Sequence, residues 1–247
     1  MKKALLILLL VLPLSVQGKI YAVFVGVSEY EQPYSNLTYC DSDAIEMYEM
    51  FKEYTPPERM KLLTDKQATH DSIVYYAKQL FLQAQPEDIV IFHFSGHGNK
   101  DVFFAHDKVL YFRDLEEIFK ECKADRKLIF ADACFSGTLR QPGNKADSGN
   151  KTNSGNQNTE KGVLLFLSSR SDQSSSESSD IKEGVFTYFL LAGLRGDADA
   201  NKDRYITARE LFDFVNPKVK ERSNGQQVPV MWGKFDENMI ILKLKNK

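Results

Sequence analysis

The chain has 247 residues, 43% of them hydrophobic, and a formal net charge of −2, enough for one large α/β domain or two small ones. A near-neutral balance lacks the basic bias that phosphate-backbone binding requires, so nucleic acid is not an expected partner. Three cysteines, Cys40, Cys122 and Cys134, match no zinc spacing and indicate no disulfide scaffold; their odd number leaves at least one thiol free or intermolecular.

The first element is a targeting segment. Lys2 and Lys3 precede an apolar run over 4–16, followed by Gln17, Gly18 and Lys19. A basic start, a short apolar stretch and a small residue at the boundary describe a secretory signal peptide over 1–18, cleaved near Gly18, and so an exported chain. The run is shorter than the roughly 20 residues of a relaxed membrane span, so no stable span is expected after cleavage. An uncleaved anchor or a buried strand is the alternative.

Beyond it, 19–27 (KIYAVFVGV) is β-branched and aromatic and predicts a buried strand. Residues 41–54 predict a helix with Ile45, Met47, Tyr48 and Phe51 as apolar positions, 60–64 a short strand, and 71–83 a second helix. The run 88–94 (DIVIFHF) is nearly continuous apolar, as in a strand covered on both faces. A helix over 113–122, strands over 127–131 and 163–168, helices over 185–195 and 208–222, and a closing edge strand over 239–244 complete the set. Six strands alternating with helices predict an α/β fold: a three-layer αβα sandwich around a mostly parallel six-stranded sheet.

Residues 138–161 interrupt this pattern with Gly, Ser and Asn and almost no apolar side chain, and 168–180 is serine-rich. Neither stretch can bury enough surface to offset its conformational entropy, so 138–161 is expected to be a mobile loop inside one domain over 19–247.

Two glycine-flexed turns end neighbouring strands. FSGHG over 94–98 follows one apolar strand, and IFADACFSG over 129–137 ends the next. Catalytic groups of open α/β sheets gather at the carboxyl ends of the strands, which would put His97 and Cys134 on one rim. Singly, each favours core packing. As a pair they read as a nucleophilic thiol and the imidazole that forms its thiolate. Gly96 and Gly98 would let backbone amides approach a reacting carbonyl.

The two motifs, in this order, resemble the caspase-like cysteine peptidases, nearest the metacaspase and bacterial caspase-like branch. YAVFVGVSEY resembles that family's first strand, YCDSDAIEM its first helix, and EGVFTYFLLAGLRGDAD a later helix, so the likeness covers the whole mature chain. It implies a caspase-like fold and cysteine endopeptidase activity on protein or peptide substrates. His97 matches the catalytic histidine and Cys134 the nucleophile, while the N–H groups of Gly98 and Cys134 match the oxyanion hole. No cofactor is implied for the chemistry itself. Phe135 departs from the pattern, which commonly has His after the nucleophile. Related peptidases resembling clostripain or gingipain, with other specificity, and a silent caspase-like adaptor are the alternatives.

By the same likeness, Cys40, Asp43, Ser95 and Asp132 match a specificity pocket. Two carboxylates there favour an Arg or Lys side chain before the cleaved bond over an Asp. Read locally, Asp43 also suits the first turn of a helix, Asp132 a strand-end cap, and Ser95 a turn. Family members are often cut between the nucleophile strand and the next. Arg140, Lys145, Lys151 and Lys161 lie in that interval and are candidate self-processing positions, beside the reading of a passive, soluble linker.

One motif points to a cation. Asp199, Asn201, Asp203 and Glu210 stand at EF-hand-like spacing for calcium, but Arg204 occupies the position that wants glycine. Thr207-x-x-Glu210 is also a helix capping box, the favoured reading.

Overall fold

The computed structural model describes residues 18–31, 36–99, 101–133, 162–168, 177–178 (backbone pairing only), 183–233 and 235–246. The strand β1 (Ile20–Gly26) leads to α1 (Cys40–Phe51), β2 (Met60–Thr64) and α2 (His70–Phe81), and then to β3 (Ile89–Gly96). Three short strands follow, β4 (Gly98–Asn99), β5 (Val102–Phe104) and β6 (Val109–Tyr111), then α3 (Phe112–Glu121) and β7 (Arg126–Ala133). After β8 (Val163–Leu167) come β9 (Glu177–Ser178), β10 (Glu183–Gly184), α4 (Val185–Ala192), β11 (Tyr205–Thr207), α5 (Ala208–Arg222), β12 (Val230–Gly233) and β13 (Ile240–Lys243).

Six strands form the central sheet in the order β12-β8-β7-β3-β1-β2, all parallel except β12, which runs antiparallel to β8. Alternation along each strand sends side chains to two cores. Val23, Phe92 and Ile129 pack with Ile73, Phe81 and Phe119 of α2 and α3. Phe24, Ile91 and Phe130 pack with Met47, Phe186 and Leu211 of α1, α4 and α5. Continuous apolar runs therefore mark strands covered on both sides, each large buried side chain contributing roughly 1.5–3 kcal/mol. The fold is the three-layer α/β sandwich expected.

Local chemistry sets the helix ends. The Thr69 hydroxyl accepts the Ser72 N–H to start α2. Buried Lys127 donates from Nζ to the Phe119 carbonyl at 2.6 Å and satisfies the end of α3. Thr207 and Glu210 cap each other at the start of α5, the capping box read from the sequence.

The closing strand needs correction. Residues 240–243 do form a strand, but it pairs antiparallel with β11, Ile206 opposite Leu242, outside the central sheet. The edge strand is instead β12, Val230 opposite Leu167 through Gly233 opposite Leu164. All four of its residues are half-buried, so it shows no alternation for a periodicity argument to detect. Strands β4 to β6 escaped for a related reason, being two or three residues long. Among the described residues no helix is long and apolar enough to cross a membrane.

Candidate active site

The carboxyl ends of β1, β3 and β7 form one rim. Gly26 lies opposite Ser95, Ser95 opposite Asp132, and Gly96 opposite Ala133 in parallel register. The next residue after Gly96 is His97, and the next after Ala133 is Cys134. Cys134 and Phe135 lie outside the described residues, as do 138–161 with Arg140, Lys145, Lys151 and Lys161, and all of 1–17.

His97 is half-buried. Its backbone N–H donates to Tyr30 Oη at 2.7 Å, its carbonyl accepts the Phe104 N–H at 3.0 Å, and its ring lies 5.0 Å from the Tyr30 ring, centre to centre. Gly98, also half-buried, opens β4 opposite Phe103.

The four residues matched to a specificity pocket are all buried: Cys40, Asp43, Ser95 and Asp132. Ser95 donates to Asp43 Oδ2 at 2.6 Å, and the Gly184 N–H donates to Asp43 Oδ1 at 2.8 Å. Asp132 Oδ2 accepts from both the N–H and the hydroxyl of Thr187 at 3.4 Å. Both carboxylates therefore meet the N-terminus of α4, whose unpaired N–H groups and dipole favour negative charge. Of the readings left open for Asp43 and Asp132, this geometry adds a partner neither had locally. A Cβ on Gly184 would sit 2.3 Å from Asp132 Oδ2 and 2.8 Å from Asp43 Oδ2, so the two acids close on a backbone that only glycine leaves bare.

Gly26 makes a similar approach possible. A Cβ there would meet the Cys40 carbonyl oxygen at 2.1 Å. The first turn of α1 thus lies directly on the end of β1, which carries Asp43 within reach of Ser95.

Sequence reasoning missed Tyr30, Gly184, Thr187 and Ser168. Ser168 follows β8, donates its N–H to the Ala131 carbonyl at 2.9 Å, and is buried with its hydroxyl unpaired among the described residues. It extends the Ser95–Asp132 row by one strand, a position legible only once β7 and β8 are known neighbours.

One step below that row lies His93, fully buried between Phe24 and Phe130 in register. Neither ring nitrogen has a hydrogen-bond partner among the described residues, and burial pushes its pKa down to about 3. It is a neutral imidazole under the acidic row, and no sequence signal set it apart from the other residues of an apolar strand.

In the cation motif, Glu210 accepts from the Thr207 hydroxyl at 2.8 Å, while Asp199 and Asn201 accept the Asp203 N–H. Among the described residues no group of three His, Cys, Asp or Glu side chains is arranged to hold a metal ion. A separate hollow of about 840 Å³ opens at the far end of α1, lined by Met50, Tyr54, Arg195, Arg204 and Lys245 among others. It lies where the parallel strands begin, opposite the rim.

Fold and rim together define a three-layer α/β protein with its polar site at the carboxyl ends of a parallel sheet. The caspase-domain family model matches residues 19–239, and the chain belongs to that family, one of cysteine-type peptidases and so of hydrolases. It is 30% identical over 121 residues to Metacaspase-3 of Trypanosoma cruzi, covering 45% of this chain and 31% of that protein. It is 35% identical over 105 residues to Metacaspase-2 of Arabidopsis thaliana, covering 39% and 25%. The matched stretch thus spans about a third and a quarter of these relatives. Solved structures of the same fold include a Geobacter sulfurreducens protein (TM-score 0.63, 18% identity, covering 87% of this chain and 92% of that one). Another is pro-sf-caspase-1 (TM-score 0.62, 14% identity, covering 91% and 90%).

Proposed function

We propose that this chain is an exported cysteine endopeptidase that hydrolyses peptide bonds after Arg or Lys. The observation that carries the specificity is the convergence of two buried carboxylates, Asp43 and Asp132, on Gly184. An Asp side chain placed beside them would meet like charge, whereas a guanidinium or ammonium would meet two acceptors. Family membership and the position of His97 at the end of β3 support the chemistry. The Cys134 thiolate adds to the peptide carbonyl, and the oxyanion takes hydrogen bonds from the Gly98 and Cys134 N–H groups. His97 gives its proton to the leaving amine, breaking the C–N bond and leaving an acyl-enzyme. Water, deprotonated by His97, then releases the acid and regenerates the thiol. No cofactor takes part in these steps.

The apolar run over 4–16 behind Lys2 and Lys3 supports export. Cleavage after Arg140, Lys145, Lys151 or Lys161 would make the enzyme its own substrate.

The test is a fluorogenic panel with Arg, Lys or Asp before the cleaved bond, run on residues 19–247 with calcium and with chelator. Turnover of Arg and Lys substrates is expected, lost by about 10³-fold or more in Cys134→Ala and in His97→Ala. Asp132→Asn is expected to lower kcat/KM for Arg substrates by about 30-fold or more, from removal of one buried charge partner. A preference for Asp would overturn the acidic-pocket reading. A chelator effect that Asp203→Ala removes would assign calcium to the 199–210 motif. An intact chain from active enzyme would count against self-cleavage.

A further inference from the structure

We propose that Tyr30 is a positioning residue that aims the His97 imidazole, a role that rests on the peptidase reading above. Both backbone polar groups of His97 are engaged, the carbonyl by Phe104 of β5 and the N–H by the Tyr30 phenol oxygen at 2.7 Å. The two rings lie 5.0 Å apart at 37°, close enough for the phenol to fix the imidazole plane. Tyr30 also packs flush on the turn, since a Cβ on Gly96 would stand 2.9 Å from its Oη. One side chain thus touches the residue before His97, its backbone N–H and its ring.

The segment that carries Tyr30 is itself tied down on both sides. Asp65 Oδ1 accepts the N–H groups of Ser28 and Glu29 at 2.8 and 2.9 Å. His106, buried, donates from Nδ1 to the Glu29 carbonyl at 2.7 Å and accepts the Glu31 N–H on its own carbonyl at 2.9 Å. The His106 N–H donates in turn to the Ala68 carbonyl at 3.0 Å. Residues 28–31 therefore form a strap between β1 and the loop before α2, with Tyr30 as its contact to the rim. A base must hold its geometry within a few tenths of an ångström, because a displacement of about 1 Å can cost on the order of 100-fold in rate. The strap supplies that rigidity where His97 has left β3.

Tyr30→Phe keeps the ring and removes the oxygen; Tyr30→Leu removes both. Kinetics on residues 19–247 should show kcat lower by about tenfold in Tyr30→Phe and about 100-fold in Tyr30→Leu, with KM little changed. The apparent pKa of the kcat/KM profile should move in both. Labelled-histidine NMR gives a second readout, on a Cys134→Ala background so that nothing turns over. With four histidines in the chain, each signal is assignable by substitution. The His97 amide proton should shift upfield in Tyr30→Phe, and its ring-proton shift should change further in Tyr30→Leu.

His106→Ala tests the strap without touching Tyr30 and should lower kcat in the same sense. A structural role alone would lower the melting temperature and leave kcat, the pH profile and the His97 signals as in wild type; that result overturns the proposal. A raised KM at unchanged kcat also overturns it, by making Tyr30 a substrate contact. If the wild-type chain cleaves no peptide, the peptidase reading fails, while the His97 signals still decide whether Tyr30 holds the ring.

Discussion

His93 is a buried polar residue in the middle of the sheet. Both ring nitrogens are buried without partners among the described residues, and the pKa falls to about 3 from the ordinary 6.5 because burial disfavours the charged form. The unfolded chain binds a proton below about pH 6.5, while the native state refuses it until about pH 3. This contribution to stability is therefore complete above about pH 6.5 and is lost as the pH falls through that window, at roughly 1 kcal/mol per unit. His93→Phe keeps an aromatic ring between Phe24 and Phe130 and removes both unpaired nitrogens. The expected result is an unfolding free energy at pH 7 higher by about 1–3 kcal/mol, and a flatter acid limb between pH 6 and 3. Urea titrations across that range decide it; an unchanged acid slope would assign the sensitivity to other groups. Cys122 moves the other way: buried, its thiol is pushed up by desolvation, which keeps it protonated and inert.

At the scale of elements, the site depends on how closely helices meet strand ends. α1 lies against β1 because Gly26 has no Cβ, and Asp43 rides on that helix to reach Ser95. Gly26→Ala would place a methyl 2.1 Å from the Cys40 carbonyl oxygen, so α1 must shift. A loss of about 1–3 kcal/mol of stability is expected. It should be accompanied by a fall in kcat/KM for Arg substrates larger than for the reactivity of Cys134 toward iodoacetamide. Equal losses in both assays would point to general unfolding. α4 meets the two acids from the other side, its first turn turning the Gly184 and Thr187 donors toward them.

For the whole molecule, β3 and β7 form the centre, each flanked by a parallel strand on both edges and by helices on both faces. β12, at the sheet edge, and the β11–β13 pair lie outside that centre. Hydrogen exchange should therefore be slowest over 89–96 and 126–133 and faster over 205–207, 230–233 and 240–243. Exchange of β3 as fast as β12 would mean that the rim has no rigid base. His97 sits one residue beyond the most protected strand, so its backbone starts from the stiffest part of the fold.

Much of this was legible in the chain itself. Apolar runs named four of the five parallel strands and a short mixed segment the fifth, and the Thr207–Glu210 pair named the start of α5, because backbone state is written in local period and local hydrogen bonding. The order of residues at the strand ends also named His97, Asp132 and Ser95 as rim residues. Strand order, the antiparallel edge β12, and the meeting of Asp43 with Gly184, 141 residues apart, were not so written. Nor was Tyr30, which acts on His97 across 67 residues. Such contacts are settled by how whole faces pack, and no window of sequence contains both partners. The sequence by itself determined where the parallel strands lie; the tertiary structure decided which of their ends face one another, since that depends on burying both faces of the sheet at once.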